Sequence, residues 1–181
     1  MRQDIKALPQ LGFGEAVKKN FNSLKDFNGR SRRSELWWNF LLYMIVAFAA
    51  KIVLGAFPMI QGIADVIIQV VILAAVTIRR MHDTGHSGLW VVAAIILGII
   101  GQIVVQQSGL YEIANSINPN PEKIIECVTQ PEMLAIGLLS FIVNITILVF
   151  CLIDSKPEAN KYGPSPKYVT EENGMEDVMN V

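Results

Sequence analysis

Ten consecutive residues, Arg79-Arg80-Met81-His82-Asp83-Thr84-Gly85-His86-Ser87-Gly88, hold the densest set of groups in this chain able to do chemistry. Three chemistries fit them. Arginine forks match phosphate oxygens, and Gly85 and Gly88 let backbone N–H groups come close, as an anionic lipid headgroup requires. His82 and His86 stand four residues apart beside Asp83, a spacing that ligates zinc when it falls on a helix. The two glycines argue against a helix through both histidines, and no further Cys or His joins them, so neither a metal nor a cofactor is expected. Hydrolysis with His82 or Asp83 as base is the third chemistry, yet the chain carries no nucleophile elbow, zinc signature or P-loop. Hydrogen bonding of His82 or Asp83 to the turn's own backbone is the plainer role.

The elements that must position this segment are apolar. Runs Met59–Ile78 and Leu89–Val105 flank it, and four apolar segments stand out, at about 36–57, 59–78, 88–107 and 133–153. Each has roughly 20 residues, enough to cross a hydrocarbon core of about 30 Å. The 181-residue chain is 52% hydrophobic and only 17% charged, with a mean hydropathy of +0.41, so its apolar residues exceed what a soluble domain would carry. The expected fold is all-α, an integral membrane protein with four transmembrane helices. Arg79–Gly88 then reads as a short turn at a membrane surface.

Charge distribution assigns the sides. Arg2, Lys6, Lys18, Lys19, Lys25, Arg30, Arg32 and Arg33 precede the first span, Arg79 and Arg80 follow the second, and Lys156, Lys161 and Lys167 follow the fourth. Only Lys51 and Lys123 fall opposite. Positive residues mark cytoplasmic loops, which places residues 1–35 and the tail 154–181 inside and the loop 108–132 outside. The polar first 35 residues lack a signal-peptide pattern, so the first span is expected to be an uncleaved anchor. The net charge of −1 argues against a nucleic-acid partner. Cys127, in a polar loop, and Cys151, in an apolar helix, read as unpaired thiols.

Smaller signals complete the outline. Phe13, Val17, Phe21 and Leu24 recur at helical spacing among lysines, the pattern of a short amphipathic helix that lies on the inner membrane surface or docks on the protein's own face. Ser31 is placed to cap the first span, with Trp37 and Trp38 at headgroup depth. Ser87 is placed to cap the third. Asn120-Pro121-Glu122 reads as the N-cap, first-turn proline and first-turn acid of a helix over about 121–129. The tail after Tyr168 is acidic and polar and is expected to be disordered.

Polar residues also stripe the spans: Gln61, Asp65 and Gln69 in the second, Gly98, Gln102 and Gln106 in the third, Gly137, Ser140, Asn144 and Cys151 in the fourth, and Asn39, Tyr43, Ala47 and Ala50 in the first. Such faces should meet one another, in ordinary bundle packing or around a solute path. Lys51 and Asp65 fall at matching depths, about 21–22 Å from the inner boundary at helical rise, and an ion pair between them is expected. Glu35 should lie level with Arg79 and Arg80 and hold one of them in a fork.

Three boxes along the chain carry a resemblance. They are Phe27-Asn28-Gly29-Arg30-Ser31-Arg32-Arg33-Ser34-Glu35-Leu36-Trp37-Trp38, then Arg79 to Trp90, then Asn160-Lys161-Tyr162-Gly163-Pro164-Ser165-Pro166. In that order they resemble the domain-of-unknown-function 805 family of small bacterial inner-membrane proteins. Met81 and Leu89 depart mildly, the loop 108–132 is longer than usual, and Lys156-Pro157-Glu158-Ala159 stands where glycines are typical. The resemblance implies an integral membrane protein with both ends inside, and no activity. All three boxes fall at one membrane surface and are predicted to form a single cluster: Arg30, Arg32, Arg33 and Glu35 with Arg79, Arg80, His82, Asp83 and Ser87, and with Asn160 and Tyr162. The expected role is a non-enzymatic binding or scaffolding module that engages membrane lipids, anionic headgroups above all, or a partner protein or second copy. The alternatives are a small-solute transporter lined by Asp65, Gln69, Gln102 and Asn144, and a membrane-bound enzyme using His82 and Asp83.

Overall fold

The computed structural model describes residues 5–170. In chain order they form β1 (Ile5–Ala7), α1 (Phe13–Asn22), α2 (Arg33–Leu54), α3 (Pro58–Gln69), a π-helical turn (Val70–Ala74), α4 (Ala75–Asp83), α5 (Leu89–Gln107), α6 (Leu110–Ala114), α7 (Pro121–Val128), α8 (Pro131–Leu152) and β2 (Tyr168–Thr170). Among the described residues four helices are long and apolar enough to cross a membrane: Arg33–Leu54, Pro58–Asp83, Leu89–Gln107 and Pro131–Leu152. The molecule is an all-α, multi-pass membrane protein.

The second span runs further than hydropathy alone implies. It continues as helix through Arg79, Arg80, His82 and Asp83, so these four residues occupy its last turns and the connecting turn shrinks to Thr84–Gly88. The stop is a Schellman arrangement. Gly85, at φ 86°, donates its N–H to His82 O (3.0 Å), and His86 donates to Met81 O (2.8 Å). Only glycine takes that backbone conformation without a Cβ penalty. Gly88 serves close approach instead, since a Cβ there would lie 2.7 Å from Ile78 Cγ2.

α2, the second span, α5 and α8 alternate in direction, so the start of α2, the end of α4, the start of α5 and the end of α8 share one end of the bundle, here the basic end. The packed core also lies toward that end, built from Leu36, Val76, Ile78, Met81, Val91 and Cys151. Much of the rest of the helical surface is exposed apolar side chain, including Phe48, Ile52, Met59, Leu138 and Phe141. Lipid tails solvate such a surface as well as protein does, so it carries no hydrophobic penalty in a bilayer.

Three local expectations change. Ser31 does not cap α2: the N-cap position is Arg32, and the buried Ser31 hydroxyl lacks a hydrogen-bond partner among the described residues. Its backbone N–H instead reaches Arg79 O at 3.1 Å. Ser87 sits one residue before the N-cap of α5, Gly88, where its Oγ accepts the Leu89 N–H at 3.2 Å. Val169 and Thr170, placed by composition in a disordered tail, pair with Lys6 and Ile5 in an antiparallel β1–β2 ribbon; the rest of that tail lies outside the described residues. The Asn120 side chain does cap α7, accepting the N–H groups of Glu122 and Lys123.

Candidate functional site

At the basic end the three sequence boxes meet in one buried polar network. Its centre is Asp83, the last residue of α4. Asp83 Oδ1 accepts Arg30 Nε at 2.9 Å, while Oδ2 accepts both Arg80 Nη1 and the hydroxyl of Ser155. Asp83, Arg80 and Arg30 are nearly inaccessible, so these are charges removed from water and paired.

The arginines outnumber the carboxylates, and backbone carbonyls absorb the excess. Arg80 donates from Nε to Cys151 O (3.2 Å) and from Nη2 to Ile153 O, the open carbonyls where α8 ends. A cation at a helix C-terminus also meets the negative end of the macrodipole. Arg79 does the same for the turn after α1, giving Nη1 to Ser23 O (2.8 Å) and Asp26 O (2.7 Å). Its Nη2 reaches Asn20 Oδ1 (3.1 Å) and Glu35 Oε1 (3.2 Å). Glu35 therefore pairs with Arg79 rather than Arg80, and its second oxygen lies 2.8 Å from Lys19 Nζ. Arg30 gathers the segment after α8 through Lys156 O (2.8 Å), Glu158 O (2.9 Å) and Gly163 O (3.3 Å). Arg32 holds the N-terminal segment through Leu8 O at 2.7 Å.

The third box closes over the second. Asn160 donates from Nδ2 to His82 O at 2.9 Å, and its Oδ1 accepts the Tyr162 N–H at 2.9 Å. The Tyr162 ring then stacks on the His82 imidazole, centroids 3.6 Å apart and planes 3° from parallel. His86 stacks on Phe150 instead. The two histidines are thus spent on different rings, and His86 lies beyond the helix that zinc-ligand spacing would need. His82 is buried under the Tyr162 ring, and the Asp83 carboxylate is taken by two arginines and a serine.

Asn20 belongs to this network and was not singled out by motif. Its Nδ2 donates to Asn39 Oδ1 (3.0 Å) and to Ile72 O (2.8 Å), a carbonyl in the π-helical turn. Asn39 passes the contact on, donating to Ala16 O and Glu35 O. The signal was present: Asn20 is an amide on the same face as Phe13, Ala16 and Val17, where a helix lying on lipid would carry an apolar residue. It also decides between the two readings of α1, which docks on the protein's own α2.

The intramembrane polar residues do not converge. Lys51 is exposed and makes no ion pair among the described residues; Asp65 accepts instead from its own-helix neighbour Gln61 at 2.8 Å. Residue counting placed the two charges level, but Asp65 takes its partner one turn away in its own helix and Lys51 stands apart from it. Asn144 is exposed and bonds within α8 to Ser140 O, and Gln69 is exposed. Gln102 lines a cavity of about 470 Å³ between α3 and α5, which holds none of Asp65, Gln69 and Asn144. Cys127 and Cys151 are free and buried.

One basic side chain of the first box stays at the surface. Arg33 lies 3.2 Å from Asp154 Oδ1 and donates to Leu152 O; Lys167 Nζ lies 2.6 Å from Asp154 Oδ2. The Lys167 hydrogen bond holds the Asp154 carboxyl below its ordinary pKa, and the same bond holds Lys167 above its own. A family of proteins of unknown function, DUF805, matches residues 24–164, which include all three boxes up to Pro164. The chain belongs to the DUF805 family. No curated protein and no solved structure matches it. In this DUF805 member the boxes are the parts of one network that ties both tails to the ends of the spanning helices.

Proposed function

We propose that this DUF805 protein is a non-enzymatic binding and scaffolding module of the bacterial inner membrane, with its basic end and both tails in the cytoplasm, and that this end engages anionic lipid headgroups. The inner-membrane placement rests on the family resemblance, and the orientation on the positive charges that cluster before α2 and after α4 and α8. One observation carries the functional reading. The buried arginines spend their donors on the protein's own carbonyls and carboxylates, which leaves an exposed basic rim of Lys18, Lys25, Lys156 and Lys161, joined by Lys19 and Arg33, which stay exposed beside Glu35 and Asp154. Each such cation near an anionic leaflet contributes on the order of 1 kcal/mol.

Native mass spectrometry tests it, on the full chain released from nanodiscs of mixed phosphatidylglycerol and phosphatidylcholine. Retained lipid should be enriched in phosphatidylglycerol over its share of the bilayer. Retention in proportion to the mixture would overturn the reading. Arg79→Gln/Arg80→Gln should lower thermal stability steeply, because these two guanidinium groups hold the fold and face no lipid.

A further inference from the structure

Where α2 enters the membrane, a groove of about 460 Å³ runs between its first two turns and the segment that follows α8. Its polar end carries Arg32, Arg33 and Lys167 against one carboxylate, Asp154. Gln10, Ser34 and Ser155 also line it, and its apolar walls are Trp37, Trp38, Leu41 and Leu152. Trp37 and Leu41 lie at i and i+4, on one face of α2 and one turn apart, so the apolar wall extends along the helix away from the charges. The groove is therefore cationic at the membrane boundary and apolar toward the bilayer interior, with an indole at the level where tryptophans concentrate.

The geometry points to this groove as the seat of one anionic glycerophospholipid, its phosphate between Arg33 and Lys167 and its acyl chains along Trp37, Leu41 and Leu152. The inference rests on the lipid-binding reading above and assigns it a place. Charge complementarity selects the occupant: among the described residues three cations face one carboxylate, and the excess is positive. Asp154 already shows the arrangement, because its two oxygens bridge Arg33 and Lys167 as two phosphate oxygens would. Arg33 and Lys167 are also reachable, with side chains 44% and 24% exposed, whereas the Arg79 and Arg80 side chains are 5% and 0% exposed. Asp154 is then a built-in competitor for the lipid phosphate. Its removal strengthens binding, although it removes two ion pairs.

The test uses the same nanodiscs and the full chain. Arg33→Gln/Lys167→Gln should lower the phosphatidylglycerol preference about thirtyfold, and Asp154→Asn should raise it several-fold. Lys51→Gln, at the opposite end of the spans and outside the basic rim, should leave it intact. Quenching of tryptophan emission by brominated phosphatidylglycerol should fall in Trp37→Phe. Millimolar inorganic phosphate should not displace the lipid; displacement would overturn a lipid occupant in favour of a soluble anion. If the wild type prefers phosphatidylglycerol and Arg33→Gln/Lys167→Gln prefers it equally, the groove is not the site, though the broader reading stands. If the wild type shows no preference, both fall. A weaker preference in Asp154→Asn would likewise overturn the proposed competition.

Discussion

At the scale of single residues, Asp83 is the position on which most depends. Two guanidinium groups and a hydroxyl converge on its carboxylate with almost no access to water. Asp83→Asn keeps the shape but leaves Arg30 and Arg80 buried without an anion. Breaking a buried pair in this way costs about 3–5 kcal/mol, because the uncompensated charge stays behind. Thermal unfolding in detergent should show that loss. Lys51 supplies the contrast: it is exposed and unpaired among the described residues, so Lys51→Gln should stay within about 0.5 kcal/mol of the parent.

At the scale of elements, α1 is held by an amide as well as by apolar contact. Asn20 satisfies Ile72 O in the π-helical turn, Asn39 Oδ1 and Arg79 Nη2 together. A π turn inside a helix disturbs the regular ladder, and here one of its carbonyls finds its partner on another element. Asn20→Leu would leave that carbonyl and one arginine donor unsatisfied, at a cost of about 1–3 kcal/mol. The opening of α1 should rise with it, and trypsin cleavage after Lys18 and Lys19 should quicken on the order of tenfold. Unchanged cleavage would mean that Phe13, packed edge-on against Trp38, holds the helix by itself.

At the scale of the whole molecule, the two ends of the described chain return to one place. β1 pairs with β2, and Lys167 beside β2 bonds Asp154 just past α8. This exposed staple contributes no more than about 1 kcal/mol, but its pH dependence has a definite form. Asp154 titrates below its unfolded value, so its contribution is complete above about pH 4 and is lost as pH falls through the folded pKa. Lys167 titrates above its unfolded value, so its contribution is complete below about pH 10 and is lost as pH rises through the folded pKa. A nitroxide at Val169→Cys should therefore keep constant mobility across neutral pH and loosen at both extremes. Asp154→Asn should remove the acid step.

Much of this was legible in the chain. Four apolar runs of membrane length determine four spans, because hydrocarbon thickness and helical rise leave little else possible. The Asn120 cap was equally readable, since a side chain that bonds two or three residues ahead needs nothing from the rest of the fold. Gathering of the three boxes at one end followed from their place in the order of spans. Which partner each arginine took did not follow. Glu35 lay level with Arg79 and Arg80 alike, and only the rotation of α4 against α2 gave it to Arg79. Lys51 and Asp65, level by residue count, also failed to meet, because counting along separate helices does not fix how those helices pack and Asp65 found Gln61 one turn away. The extension of the second span to Asp83, the π turn that Asn20 reaches, and the role of the arginines as caps for distant helix ends all depend on carbonyls. Every residue carries the same carbonyl, so which of them were left open for an arginine to fill was decided by the tertiary structure alone.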